Sequence, residues 1–195
     1  MRYDQINISR LNIAISTMRE SHLRLKAQGV LGISEGRCCN HTRVKIAEDE
    51  CEVGCLVGLL VGIGNFEMGS CDTAMGLNED KIKTAFRNAV VNNSVYADWT
   101  DLGNDDRIAY RGLLSGLQNL HDSSPQYGIN GTEFVLFVLV AMIARFEAVR
   151  EEATAASAST VEWSQFGINM GNHYEAPNAV ITRLHERIEH FIAKK

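Results

Sequence analysis

Only two prolines occur in 195 residues. Proline removes a backbone donor and crowds the preceding turn, so its scarcity argues against a turn-rich β sandwich and leaves room for long helices. Long hydrophobic runs are missing as well. The apolar stretches 53–63 and 134–144 fall short of the roughly 20 residues that a membrane span needs, and they read as buried core helices. The chain opens Met1-Arg-Tyr-Asp-Gln with no apolar leader core, and its five cysteines are an odd number. Both features point to a reducing cytoplasm and away from an exported disulfide framework.

Excess positive charge is also absent. A net charge of -5 and a pI near 5.7 argue against a nucleic-acid binder, since affinity for phosphate comes from a positive surface field. The charge is unevenly spread, however. Residues 1–46 are rich in Lys and Arg and the remainder is acidic, so the basic segment either guides an acidic partner or docks on its own body.

What is present is an ordinary globular composition, 45% hydrophobic and 22% charged, with helical periodicity. Ile8, Leu11, Ile15, Met18 and Leu25 form a narrow seam along residues 6–28, stopped by Gly29. The seam is too short for a free coiled coil and predicts a packing face in a bundle. Residues 29–46 predict a loop with a short extended piece. From Glu48 a helix is expected to run to about Gly62, its acidic start matching the helix dipole. Gly54, Gly58 and Gly62 recur along it every four residues, and each costs roughly 1 kcal/mol relative to Ala, so close approach of the helix after Gly131 is expected as an offset.

Further helices are expected from Asn78 to Val91, from Asn104 to Leu120, after Gly131 and from Pro177. Short helical turns are expected at Ser70–Leu77 and around Trp163, where Ser159 and Glu162 resemble a capping box. The whole reads as a single all-α domain, 1–195, a compact bundle of about six to eight helices. Within it, 1–28 is the amino-terminal helix, 29–46 a loop and 47–195 the helical body.

The candidate metal ligands are Cys39, His41, Cys51 and Cys55. Thiolates one helical turn apart can bind one zinc, with a loop Cys and His completing a tetrahedron. The competing reading makes the cysteines, Cys38 among them, small packing residues beside the glycine stripe, with no cofactor. A cysteine nucleophile is a third reading: a helix start would lower the pKa of Cys51, while Glu48, Asp49, Glu50 and Glu52 would raise it.

In the closing helix His185 and His190 are five apart, about 140° around the axis, so they do not make a zinc-protease pair. His185 and Glu189 share a face and are expected to pair on the surface. Asp98, Asp101, Asp105 and Asp106 lack calcium-loop spacing and read as caps. Trp99, Tyr127, Trp163 and Tyr174 are loop aromatics that either form a binding surface or pin loops to the core. With Arg37 and Arg43 they are the candidate binding residues, and with Lys45 those two arginines could serve a small-ligand sponge.

Cys51-Glu-Val-Gly-Cys55-Leu-Val-Gly58, Ala74-Met-Gly76-Leu77 with Phe86 nine residues later, and Arg187-Ile188-Glu189-His190-Phe191-Ile192 together resemble a family of small uncharacterised proteins of bacteriophages and bacteria. Members carry a Cys-Gly-Thr segment, a Leu-Gly-Leu turn and a closing Ile-x-His-Phe-Ile helix. Here Glu52-Val53 replace Gly-Thr, the cysteine spacing is one shorter, and Leu59 stands where an aromatic is usual. The resemblance implies a phage or bacterial origin and carries no activity. The expected function is a non-catalytic, phage-type accessory protein that binds a host or viral protein, for counter-defence or otherwise, and can form a homo-oligomer. The alternatives are a zinc-binding or cysteine-dependent enzyme and the ligand sponge.

Overall fold

The computed structural model describes residues 6–32, 41–46, 49–62, 78–92, 98–124, 131–151 and 177–193. For residues 41–52, 177 and 178 the description is of the backbone. The fold is all-α. Among the described residues there are six α-helices, α1 (Ile8–Gln28), α2 (Leu56–Val61), α3 (Glu79–Phe86), α4 (Asn104–Ser123), α5 (Gly131–Arg150) and α6 (Pro177–Ile192). A π-helical turn at Arg87–Val91 extends α3, and a 3₁₀ turn occupies Trp99–Asp101.

Helix α1 lies at the centre. It begins where the Asn7 side chain accepts a hydrogen bond from the Arg10 amide, and it ends at Gly29, whose φ of 81° suits a residue without Cβ. Leu11, Ile15, Met18 and Leu25 are buried, so the seam is a packing face as its spacing predicts. Burying such side chains contributes about 1.5–3 kcal/mol each. Helix α1 packs against α2, α5, α6 and the π turn, while α4 packs chiefly against α6.

The basic amino-terminal helix docks on its own body. Arg10 pairs with Asp106 at 2.5 Å and Arg19 with Glu147, and Arg24 donates to the Leu59 carbonyl at 2.8 Å. Arg10 also donates to the Ala193 carbonyl at 2.8 Å, closing the amino-terminal end of α1 onto the end of α6.

One segment departs from expectation. Residues His41–Ile46 (β1) and Asp49–Gly54 (β2) form a two-stranded antiparallel hairpin, where a loop with a short extended piece and the first half of a helix were expected. The register explains the choice. Arg43 stands opposite Glu52 and Lys45 opposite Glu50, an order of unlike residue types that suits antiparallel strands. The helix starts only after Cys55 and stops at Gly62 with φ 103°, so the three glycines do not form a stripe on one helix. Helix α2 packs against α1, α3 and α4, and α5 lies along α1 instead.

Candidate functional site

A buried polar cluster lies where α2 starts against α4. Cys55 is the N-cap of α2, and its Sγ accepts from the Gly58 amide at 3.3 Å. The thiol is 1% exposed and donates to Gln118 Oε1 at 3.3 Å. Gln118 Nε2 donates to Asp122 Oδ1 at 2.7 Å, and the same oxygen lies 2.9 Å from His121 Nδ1. His121 Nε2 donates to the Gly32 carbonyl at 2.8 Å. Gln118, His121 and Asp122 sit three and four residues apart on α4, which brings them to one side of the helix.

A second set of bonds fixes the chain opposite. The Gln28 side-chain amide donates to the Gly54 carbonyl at 2.9 Å and accepts from the Gly54 amide at 2.7 Å, acting as a short strand partner. The Gly32 amide reaches the same carbonyl at 3.3 Å. A Cβ on Gly32 would meet the Val53 carbonyl oxygen at 2.7 Å, so this approach requires glycine. The carbonyls at the end of α2 are capped by side chains: Arg24 donates to Leu59 at 2.8 Å and Asn88 to Leu60 at 2.6 Å.

The chemistry of the cluster follows from its order. A nucleophilic cysteine needs a base in direct contact with its sulfur. Here the amide of Gln118 stands between the thiol and the Asp122–His121 pair, and an amide does not take up a proton at ordinary pH. The cluster is arranged as a clamp that satisfies buried polar atoms.

Of the sequence-predicted metal ligands, only the Cys51–Cys55 spacing is changed by the paired strands. Cys51 and Cys55 were expected one helical turn apart, but four residues of extended chain place their Cα atoms about 13 Å from each other. Cys51 stands opposite Val44, whereas His41 stands opposite Gly54, the neighbour of Cys55. Among the described residues no group of three or more His, Cys, Asp or Glu side chains is placed to hold a metal ion. Cys38, Cys39, Arg37, Tyr127, Trp163 and Tyr174 lie outside the described residues, as do the turns expected at 70–77 and 159–163. Arg43 is placed in β1.

Trp99 is 8% exposed and holds its turn against the core. Its ring meets Phe86 edge-on at 5.4 Å and Tyr110 at 6.1 Å, with the Arg107 guanidinium 5.3 Å from its centroid. The indole N–H lies 3.4 Å from Glu79, and that contact, with Lys83, holds the Glu79 carboxyl below its ordinary range. Two of the four acidic residues expected as caps are caps: Asp98 accepts from the Thr100 amide at 3.0 Å and Asp101 from the Asp98 amide at 2.9 Å, whereas Asp106 pairs with Arg10.

On α6, His185 and Glu189 share a face at 3.6 Å, too long for a hydrogen bond, and the imidazole stacks on Phe146 with centroids 5.3 Å apart. No protein-family model matches the chain, and comparison with curated proteins and with solved structures finds no match.

Gln118, His121, Asp122, Gln28 and Gly32 were missed in the sequence. The available signal was polar Gln118 and His121 falling within the apolar series Leu113, Leu114, Leu117 and Leu120 of α4, where a buried polar group must find a partner.

Proposed function

We propose that this chain is a non-catalytic helical binding protein of the phage-accessory kind that acts on a host or viral protein in a bacterial cytoplasm. The observation that carries this reading is the outer edge of the α1–α5 pair. There Leu23 is 56% and Val140 49% exposed, beside the ion pair of Arg19 with Glu147. Large apolar side chains rimmed by charges are what a protein contact uses. The internal use of Cys55 and His121 supports the non-catalytic part. Tyr127, Trp163, Tyr174, Arg37 and Arg43 remain candidate contacts, while Trp99 is packed against the core.

The test is capture from host lysate with the wild-type chain and with Val140→Glu. A stoichiometric protein held by the wild type and lost from the variant is expected. Identical recovery by both, or none by the wild type, overturns the reading.

A second reading has one observation in its favour. The hairpin register sets His41 beside Cys55 at the backbone level, so a zinc site drawing on that pair and Cys39 stays open to test. No membrane partner is implied: among the described residues, no helix is long and apolar enough to cross one.

A further inference from the structure

Helix α5 carries no charged residue from Phe134 to Ala144. A helix apolar on every side is normally covered on every side. Its inner face is buried in the core, yet Val140 and Ala144 on the outer face are exposed. Beside them α1 presents Leu23, also exposed.

The two helices run antiparallel. Thr132 Oγ1 accepts from the Leu31 amide at 3.2 Å near one end, and Arg19 pairs with Glu147 near the other. Between these ties Leu23 and Val140 fall within about one helical turn of the same level.

The charges on this face are sorted by helix. The exposed edge of α1 carries Arg19 and Lys26, and the outer edge of α5 carries Glu133, Glu147 and Glu151, with Arg150 3.8 Å from Glu151 and Arg19 paired with Glu147. The first strip is basic and its neighbour carries an acidic excess, with apolar side chains at the middle of each.

We propose that this face is a self-association surface on which a second copy of the chain docks, α1 of one protomer lying along α5 of the other. The inference rests on the binding reading above and names a first occupant for its surface. A two-fold axis parallel to the helices sets each basic strip over the acidic strip of the other copy. It also brings Leu23 over Val140, and Arg19 over Glu147. A two-fold axis across the helices would lay like charges on like. A face that complements itself under one rotation is what an isologous contact requires, and the product is a four-helix arrangement.

Sedimentation of the full-length chain up to about 200 µM tests this by mass action. The expected mass is near twice the 21.6 kDa of one chain. Leu23→Glu and Val140→Glu should each weaken association by about 100-fold or more, since each sets a charge into the apolar centre of the contact. Both positions are exposed, so circular dichroism and melting should be unchanged. Glu147→Lys should weaken association, and adding Arg19→Glu should restore it.

A monomer at every concentration overturns the inference, and so does a dimer indifferent to both Leu23→Glu and Val140→Glu. A monomer that still captures a foreign protein through Val140 leaves the binding reading standing and removes only the second copy. A dimer that captures nothing does the reverse.

Discussion

His121 Nε2 lies 2.8 Å from the carbonyl oxygen of Gly32, a bond between residues 89 apart in the chain. The other ring nitrogen faces the Asp122 carboxylate at 2.9 Å. Neither oxygen has a proton to offer, so both contacts are hydrogen bonds when the ring carries two protons. His121→Phe should then lower unfolding free energy by about 1–3 kcal/mol, the cost of leaving buried acceptors unpaired. Denaturant titration measures it, and a change within a few tenths of a kcal/mol would show that the clamp contributes nothing.

On the far side of the same bond, Gly32→Ala should be as damaging, for a different reason. The added Cβ would stand 2.7 Å from the Val53 oxygen and 2.9 Å from its carbonyl carbon, both backbone atoms. Crowding of this kind costs about 1–3 kcal/mol when the backbone must shift. Gly29→Ala provides the contrast: nothing lies near its Cβ, and only its φ of 81° opposes the change. Hydrogen exchange of the β2 amides should quicken in the Gly32 variant and not in the Gly29 one; equal rates in the two would remove the close-approach argument.

How far these features were legible depends on whether the signal was local. Helices α1, α3, α5 and α6 follow the spacing of Leu11, Ile15 and Met18, the cap at Asn78, and the Gly131 and Pro177 starts, because each helix is specified within its own residues. The hairpin was hidden. Glu48, Asp49 and Glu50 before an apolar run suit a helix start, and that local reading outweighed the alternation of Thr42, Val44 and Ile46 with basic residues. The register between the strands sets Lys45 opposite Glu50 and Arg43 opposite Glu52, a relation that periodicity within one segment does not contain. The clamp was hidden likewise, since His121 meets Gly32 and Cys55 meets Gln118 across long sequence separations.

Trp99 gives an optical handle on its own placement. The chain has two tryptophans, so Trp163→Phe leaves Trp99 as the sole indole. Its emission should be blue-shifted and weakly quenched by acrylamide, because the ring is packed between Phe86, Tyr110 and Arg107. Tyr110→Ala, which empties the centre of that aromatic cluster, should cost about 3–5 kcal/mol and redden the emission. Tyr110→Phe removes only a 3.4 Å contact to Thr17 and should cost about 1 kcal/mol or less. Red-shifted, freely quenched emission in the Trp163→Phe protein would place Trp99 at the surface.

Elemental analysis of chain purified without chelator separates the two readings of the cysteine region. The binding reading expects metal-free protein whose melting is unaffected by chelator. It also expects Cys55 to be alkylated only on unfolding, since its thiol is buried and bonded to Gln118. One zinc per chain, lost together in Cys55→Ser and His41→Ala, would instead establish the second reading and couple metal binding to folding.

The pH profile should carry the signature of His185. Its basicity is pushed below the ordinary value of 6.5, first by burial and then by the Arg145 guanidinium, with Glu189 and Glu186 opposing. The folded chain therefore favours the neutral ring, while the unfolded chain takes up a proton at about 6.5. Below that pH the unfolded state binds more protons, so stability is full above it and falls as pH drops through it toward the folded value. His22, lowered by burial and by Lys26, acts in the same direction. The melting temperature should decline from pH 7.5 to 5.5, and His185→Gln should flatten part of that decline. Proton NMR of the ring decides the matter directly: a native His185 that titrates at or above 6.5 would mean that the stack on Phe146 leaves the imidazole as well solvated as in a free peptide.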